Sequence, residues 1–347
     1  VKGPICPVPF LEGETVLLAH GGGGKLTQRL IEEVFLPAFS NPALSPLHDG
    51  ARLSLPNGRV AFTTDSYVVR PPFFPGGDIG SLAVHGTVND LAMCGARPFA
   101  LSVGFILEEG FPLADLRRLV ASMRDAAATA SVPIVTGDTK VVDRGKGDGI
   151  YLNTAGIGVV PEGVAIDPAS ARPGDRILLN GPIADHGIAI LSVREGLGFE
   201  GEVATDSASL HGLVETILAA GGPDVHVLRD PTRGGVASAL NEIAHASKAG
   251  FRLVERAIPV REAVRGACEI LGLDPLYVAN EGKCVAIVAP ERAGAVLAAM
   301  RAHPLGVDSV EIGEVVAAHP GRVVIESAVG GTRIVDMMSG EQLPRIC

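Results

Sequence analysis

Short apolar runs of strand type alternate with helix-spaced segments along most of the chain, and that alternation breaks once, at Asp167-Pro168 and Arg172-Pro173-Gly174-Asp175. The pattern restricts the fold to a layered α/β (α+β) architecture in two parts, residues 1–168 and 169–336, followed by a tail, 337–347. Of the 347 residues, 47% are hydrophobic but only 4% aromatic, with no Trp, so the cores must be built from Ala, Val, Leu and Ile. A chain of this length can bury a core in each part. A net charge of -10 with no lysine or arginine block argues against nucleic acid as a partner. No apolar run reaches the length of a membrane span, so a cytoplasmic protein without a membrane partner is expected. The five cysteines, Cys6, Cys94, Cys268, Cys284 and Cys347, are scattered without a Cys-x-x-Cys pair and read as reduced thiols. Cys94, Cys268 and Cys284 sit in apolar segments and are expected to be buried.

In the first part, His20-Gly21-Gly22-Gly23-Gly24-Lys25 opens onto a helix and is either a phosphate cradle or a hinge. It is not a Walker loop, because Ala19 and Leu26 occupy positions that need Gly and Ser or Thr. A strand over 59–64 delivers Asp65 at its end. Asp78 can cap a helix that presents Ile79, Leu82, Ala83 and Gly86 on one side and carries Asn89-Asp90. After a strand over 99–107 and a helix over Leu113–Thr129, a short strand over 133–136 ends in Gly137-Asp138-Thr139-Lys140, at the kind of strand exit where open sheets place ligands. In the second part, Asp230-Pro231-Thr232-Arg233-Gly234-Gly235 puts a cation and two glycines at a helix start, a geometry that suits an anion or an ordinary capping turn. Glu281, between Asn280 and Gly282, is a general base if desolvated. His85, His186 and His245 read as packed or capping residues.

Asp65, Asp90 and Asp138 each lie in segments apolar enough to be core, where a carboxylate is costly unless it is paired or binds a cation. Singly, each is an ordinary cap or turn residue. Together, beside a glycine loop, they point to a Mg²⁺–nucleotide site, because oxygen-only donors suit Mg²⁺. The stretch Leu343-Pro344-Arg345-Ile346-Cys347 reads as an arm: from Asp336 onward an extended chain spans about 36 Å, enough to carry a thiol across the face of a domain.

Thr64-Asp65-Ser66, Pro75-Gly76-Gly77-Asp78-Ile79-Gly80, Gly86-Thr87-Val88-Asn89-Asp90-Leu91, Gly137-Asp138-Thr139-Lys140-Val141-Val142, Arg229-Asp230-Pro231-Thr232-Arg233-Gly234-Gly235, Ala279-Asn280-Glu281-Gly282-Lys283 and the Pro344-Arg345-Ile346-Cys347 tail resemble the HypE family of hydrogenase expression/formation proteins. These are the carbamoyl dehydratases of nickel–iron hydrogenase maturation, within the aminoimidazole ribonucleotide synthetase-like ATP-binding superfamily. The resemblance runs from about Gly21 to Cys347. It implies two domains of that fold, an N-terminal sheet that forms a barrel across a homodimer, and a flexible tail. It implies that a carbamoyltransferase loads Cys347, that ATP and Mg²⁺ drive dehydration of the S-carboxamide to a thiocyanate, and that a scaffold complex receives the cyanide on iron. Cys347, Glu281 and Lys140 are the implied catalytic residues, with Lys140 the nearest charged helper of Glu281. Nucleotide contacts are implied at Asp49, Asp65, Asn89, Asp90, Asp138, Thr139, Asp230, Arg233, Gly234 and Gly235, and metal ligation at Asp65, Asp90 and Asp138. Other readings are a selenophosphate synthetase or thiamine phosphate kinase of the same superfamily, neither of which needs the tail thiol, or a non-catalytic carrier switched by nucleotide.

Overall fold

The computed structural model describes residues 14–47, 50–197, 203–338 and 346. Helix α1 (Lys25–Leu30) runs through a π-helical turn, Ile31–Phe35, into α2 (Leu36–Phe39). There follow β1 (Arg59–Tyr67), a small ribbon of β2 (Phe73–Phe74) and β3 (Gly77–Asp78), α3 (Ile79–Met93), β4 (Arg97–Glu108), α4 (Leu113–Thr129), β5 (Ile134–Val142) and β6 (Ile150–Val160). The first sheet has the order β1-β6-β4-β5, with only the β4–β5 pair parallel.

One face of this sheet is the core. Leu101, Val103, Phe105 and Leu107 of β4 alternate inward and pack with Leu82 and Val88 of α3 and with Leu116, Leu119 and Met123 of α4. The other face is open: Phe62 is 70% exposed, and Val60 and Ile106 are also exposed. Asp78 caps α3 as expected, its Oδ1 accepting the Ser81 amide at 2.9 Å. Helix α3 is buried around most of its circumference, not along one stripe, because Ala92 and Met93 pack on Leu210 and Leu213 of the second half.

The second half contains β7 (Arg176–Leu179), α5 (Asp185–Arg194), α6 (His211–Gly221), β8 (Val225–Arg229), α7 (Gly235–Ser247), β9 (Gly250–Val254) and α8 (Glu262–Leu271). It closes with β10 (Val285–Val288), α9 (Pro290–Ala302), β11 (Val310–Val316), β12 (Val323–Glu326) and β13 (Thr332–Val335). Its sheet order is β13-β12-β9-β11-β7-β10-β8. Both faces are covered. Ile177, Leu179, Val285 and Ile287 meet α7 on one side, while Leu178, Ala286 and Val288 meet α6 and α9 on the other. No helix among the described residues is long and apolar enough to cross a membrane.

One strand departs from expectation in a way that matters for the site. β5 does not stop before Gly137-Asp138-Thr139-Lys140; its pairing with β4 continues through Glu108↔Val142. Those four residues therefore lie within a strand and alternate between its faces. β1 likewise extends past Asp65 to Tyr67.

Candidate active site at the junction of the two halves

The strand register sorts the predicted acidic residues into two groups. Asp65 on β1 pairs with Thr154, and Thr154 with Val103, a row that faces the helix-covered side. The next row, Ser66, Asn153, Gly104 and Asp138, faces the open side. Asp65 and Asp138 are thus on opposite faces and three strands apart, about 14 Å at the usual interstrand spacing.

On the covered side, carboxylates gather under α3. The Asp90 Oδ2 accepts the Thr63 hydroxyl at 2.8 Å. Burial, with Asp230 next in importance, pushes the Asp90 pKa up to about 7. Burial also raises Asp230. Glu281 is only 3% exposed and its Oε1 has no hydrogen-bond partner. Burial first, then the charges of Asp230, Asp206, Asp65 and Asp90, hold its carboxyl well above the usual range. The Tyr67 phenol, buried beside the same carboxylates, is also raised.

Glu281 is held from three directions. Its amide donates to Asp206 Oδ1 at 3.1 Å, and its carbonyl accepts from Asn89 Nδ2 at 3.1 Å. Neighbouring Asn280 donates to the Pro231 and Val278 carbonyls and accepts from the Ala184 amide. Asn89 also donates to the Ala208 carbonyl and accepts from the Leu210 amide. Its amide group therefore ties α3 to the second half. Gly282 is required because a Cβ there would overlap the Asp206 carbonyl oxygen. The Gly234-Gly235 pair has a similar origin: Gly235 has φ +61°, and a Cβ on it would overlap the Leu276 carbonyl where α7 begins. Arg233 beside them is exposed.

On the open side, Lys140 Nζ contacts both Asp138 oxygens at 2.6 and 2.5 Å. The pair is largely solvated, and Lys140 holds the Asp138 carboxyl below its ordinary range. Within one chain this register does not bring Asp138 to Asp65 and Asp90, and it sets Lys140 on the open face, away from Glu281. The buried cation next to Glu281 in sequence is Lys283, 3.2 Å from Asp206 Oδ2. Among the described residues, no three His, Cys, Asp or Glu side chains are already arranged around a metal position. Asp138 and Thr139 instead border a cavity of about 240 Å³, with Thr27, Ile31 and Phe105 among its walls, beside the helix that the glycine loop opens. Asp49 and Cys347 lie outside the described residues.

Asp206 and Thr205 went unrecognised in the sequence because 203–210 forms neither helix nor strand; the only signal was the polar run Thr205-Asp206-Ser207. The Thr205 amide bonds the Pro75 carbonyl, so this segment packs on the β2–β3 ribbon. His85 and His186 are packed against it, contacting Ser207 Oγ and Thr205 Oγ1, whereas His245 is exposed near the end of α7. Cys268 and Cys284 are buried, but Cys94, which follows the last turn of α3, is exposed.

A two-part chain with one half-open sheet, one covered sheet and carboxylates at their junction defines a class. Residues 47–160 match the N-terminal domain and 172–326 the C-terminal domain of AIR synthase related proteins. Within that class, the chain belongs to the HypE carbamoyl dehydratase family. It is 60% identical over 337 residues to carbamoyl dehydratase HypE of Azotobacter vinelandii, covering 97% of this chain and 98% of that protein. A crystal structure of hydrogenase maturation protein HypE in complex with ATP superposes with a TM-score of 0.92 at 55% identity, covering 95% of this chain and 99% of the other. HypE in a crystal structure of the HypE–HypF complex gives a TM-score of 0.79 at 48% identity, covering 89% and 99%.

Proposed function

We propose that the protein carries a carbamoyl group on the Cys347 thiol and, with ATP, dehydrates this S-carboxamide to a thiocyanate that supplies cyanide to the iron of a nickel–iron hydrogenase. The observation that carries this reading is the position of Ile346. The residue before Cys347 is 2% exposed and bonded to His186, against the same 203–210 segment that holds Glu281.

An amide oxygen leaves poorly, so it first takes the γ-phosphoryl group of ATP; the nitrogen then loses its protons as the C–O bond to phosphate breaks. The products are the thiocyanate, ADP and phosphate. A carboxylate with a raised pKa is a stronger base than a solvated one, which suits Glu281 to accept a proton from nitrogen. Its backbone clamps fix the carboxyl before substrate arrives. Asp65 and Asp90, half-buried oxygen donors with Asp90 poised near neutrality, fit Mg²⁺, which is commonly held by one or two carboxylates together with substrate phosphates. When bound, Mg²⁺ supplies positive charge against the phosphates. Asp138 and Thr139 border the cavity and serve the nucleotide there, while Asp230 and the turn through Arg233, Gly234 and Gly235 bound the junction from the second half.

The exposed Val60, Phe62 and Ile106 support a homodimer in which two open faces close a barrel. The solved HypE–HypF complex supports a loading partner, a carbamoyltransferase, and cyanide is then passed to a scaffold complex. The test is the mass of the Cys347 peptide after carbamoyl loading. Addition of Mg-ATP shifts the adduct down by one water; an unchanged mass with ATP consumed would leave only a carrier.

A further inference from the structure

We propose that His186 is a positioning residue that seats Ile346 through its Nε2–H and thereby delivers the Cys347 thiol to the Glu281 site. His186 Nε2 lies 2.6 Å from the Ile346 carbonyl oxygen, and Nδ1 lies 2.7 Å from Thr205 Oγ1. A carbonyl only accepts, so Nε2 must carry the proton. In the neutral ring Nδ1 is then an acceptor, and the Thr205 hydroxyl donates to it. Thr205 Oγ1 in turn accepts the Ser207 amide at 3.1 Å, so every polar atom in the chain has a consistent role. Burial lowers the His186 pKa, with Asp206 opposing, which keeps the ring neutral near pH 7.

The seat is built from both halves. Phe74 of β2 stands edge-on to the His186 ring at 5.7 Å. Ile346 joins the core cluster that includes Phe74, Ala184, Ile188, Ala189 and Val203. Thr205 supports the seat and the adjacent Asp206 holds the Glu281 amide, so a single segment sets the distance between the bound tail and the buried carboxyl. One side-chain bond and the burial of one apolar side chain hold Ile346 in this seat. A buried hydrogen bond to a carbonyl is a modest tether, suited to repeated release.

This inference deepens the proposed function and rests on it for the delivery step, whereas the seat is measurable without it. In the full-length protein, the rate at which iodoacetamide modifies Cys347 is compared with that of exposed Cys94 by peptide mass spectrometry. Loss of the tether in His186→Ala is expected to speed Cys347 modification about tenfold. Preloaded protein should then dehydrate about tenfold more slowly at unchanged ATP affinity. His186→Gln, which keeps an N–H donor, should recover most of both. Ile346→Asp, a change in the tail that spares the core behind it, should match His186→Ala and carries the test if that variant fails to fold. Wild-type modification rates in both His186→Ala and Ile346→Asp would overturn the seat, as would slowed dehydration in His186→Ala with modification unchanged. Faster modification in the variants, with no loss of water from the wild type, would uphold the seat and remove the dehydratase reading instead.

Discussion

Asp65 and Asp138 both sit on strands of one sheet, yet they inhabit different chemistry. Asp65 faces α3 among the carboxylates whose charges raise Glu281, whereas Asp138 faces solvent, neutralised by Lys140 two residues on. The difference is one of register parity. Strand side chains alternate, so a site read from residue type alone merges groups that the backbone sends to opposite faces.

Substitution at the two aspartates should separate them. Asp65→Asn is expected to weaken Mg-ATP by at least about tenfold, the usual weight of a charged contact. Asp138→Asn, which removes a solvated charge at the cavity rim, should cost no more than about threefold. Calorimetric titration separates them; equal losses would mean that a second copy carries Asp138 to the phosphates.

A smaller effect is expected from pH. Folded Asp90 keeps its proton up to about 7, while the unfolded chain releases it near 3.8. Between those values the folded state binds more protons, so the Asp90 contribution to stability falls as pH rises through that window. Mg-ATP affinity should run the other way, rising with pH until about 7 as the metal ceases to compete with the proton. Thermal unfolding and titration in wild type and Asp90→Asn check both, since the variant should flatten both profiles. Asp138 offers the contrast, with no corresponding loss above pH 5. The smallest effect is expected for Lys140→Ala, whose exposed pair should change stability by less than about 1 kcal/mol in denaturant titration.

Much of the fold was legible because its signals are local. The helix read over Leu113–Thr129 is α4, and Asp78 marked the start of α3. The end of β5 was not legible. Gly137-Asp138-Thr139-Lys140 has the composition of a turn, and only pairing with β4 keeps it extended. The site followed the same division. Asp65, Asp90, Asp230 and Glu281 carried motif signals, and folding gathers them. The clamps on Glu281 come from Asn89 and Asp206, distant in sequence, and no spacing rule connects them.

On the proposed function, the buried carboxyl at the junction, and not the solvated pair on the open face, accepts the proton during dehydration. Single-turnover conversion of preloaded Glu281→Gln, followed by the mass of the Cys347 peptide, tests it most directly. Normal loading, near-normal ATP affinity and dehydration slowed by about 100-fold or more, the scale of a lost general base, are expected. Conversion at the wild-type rate would contradict it.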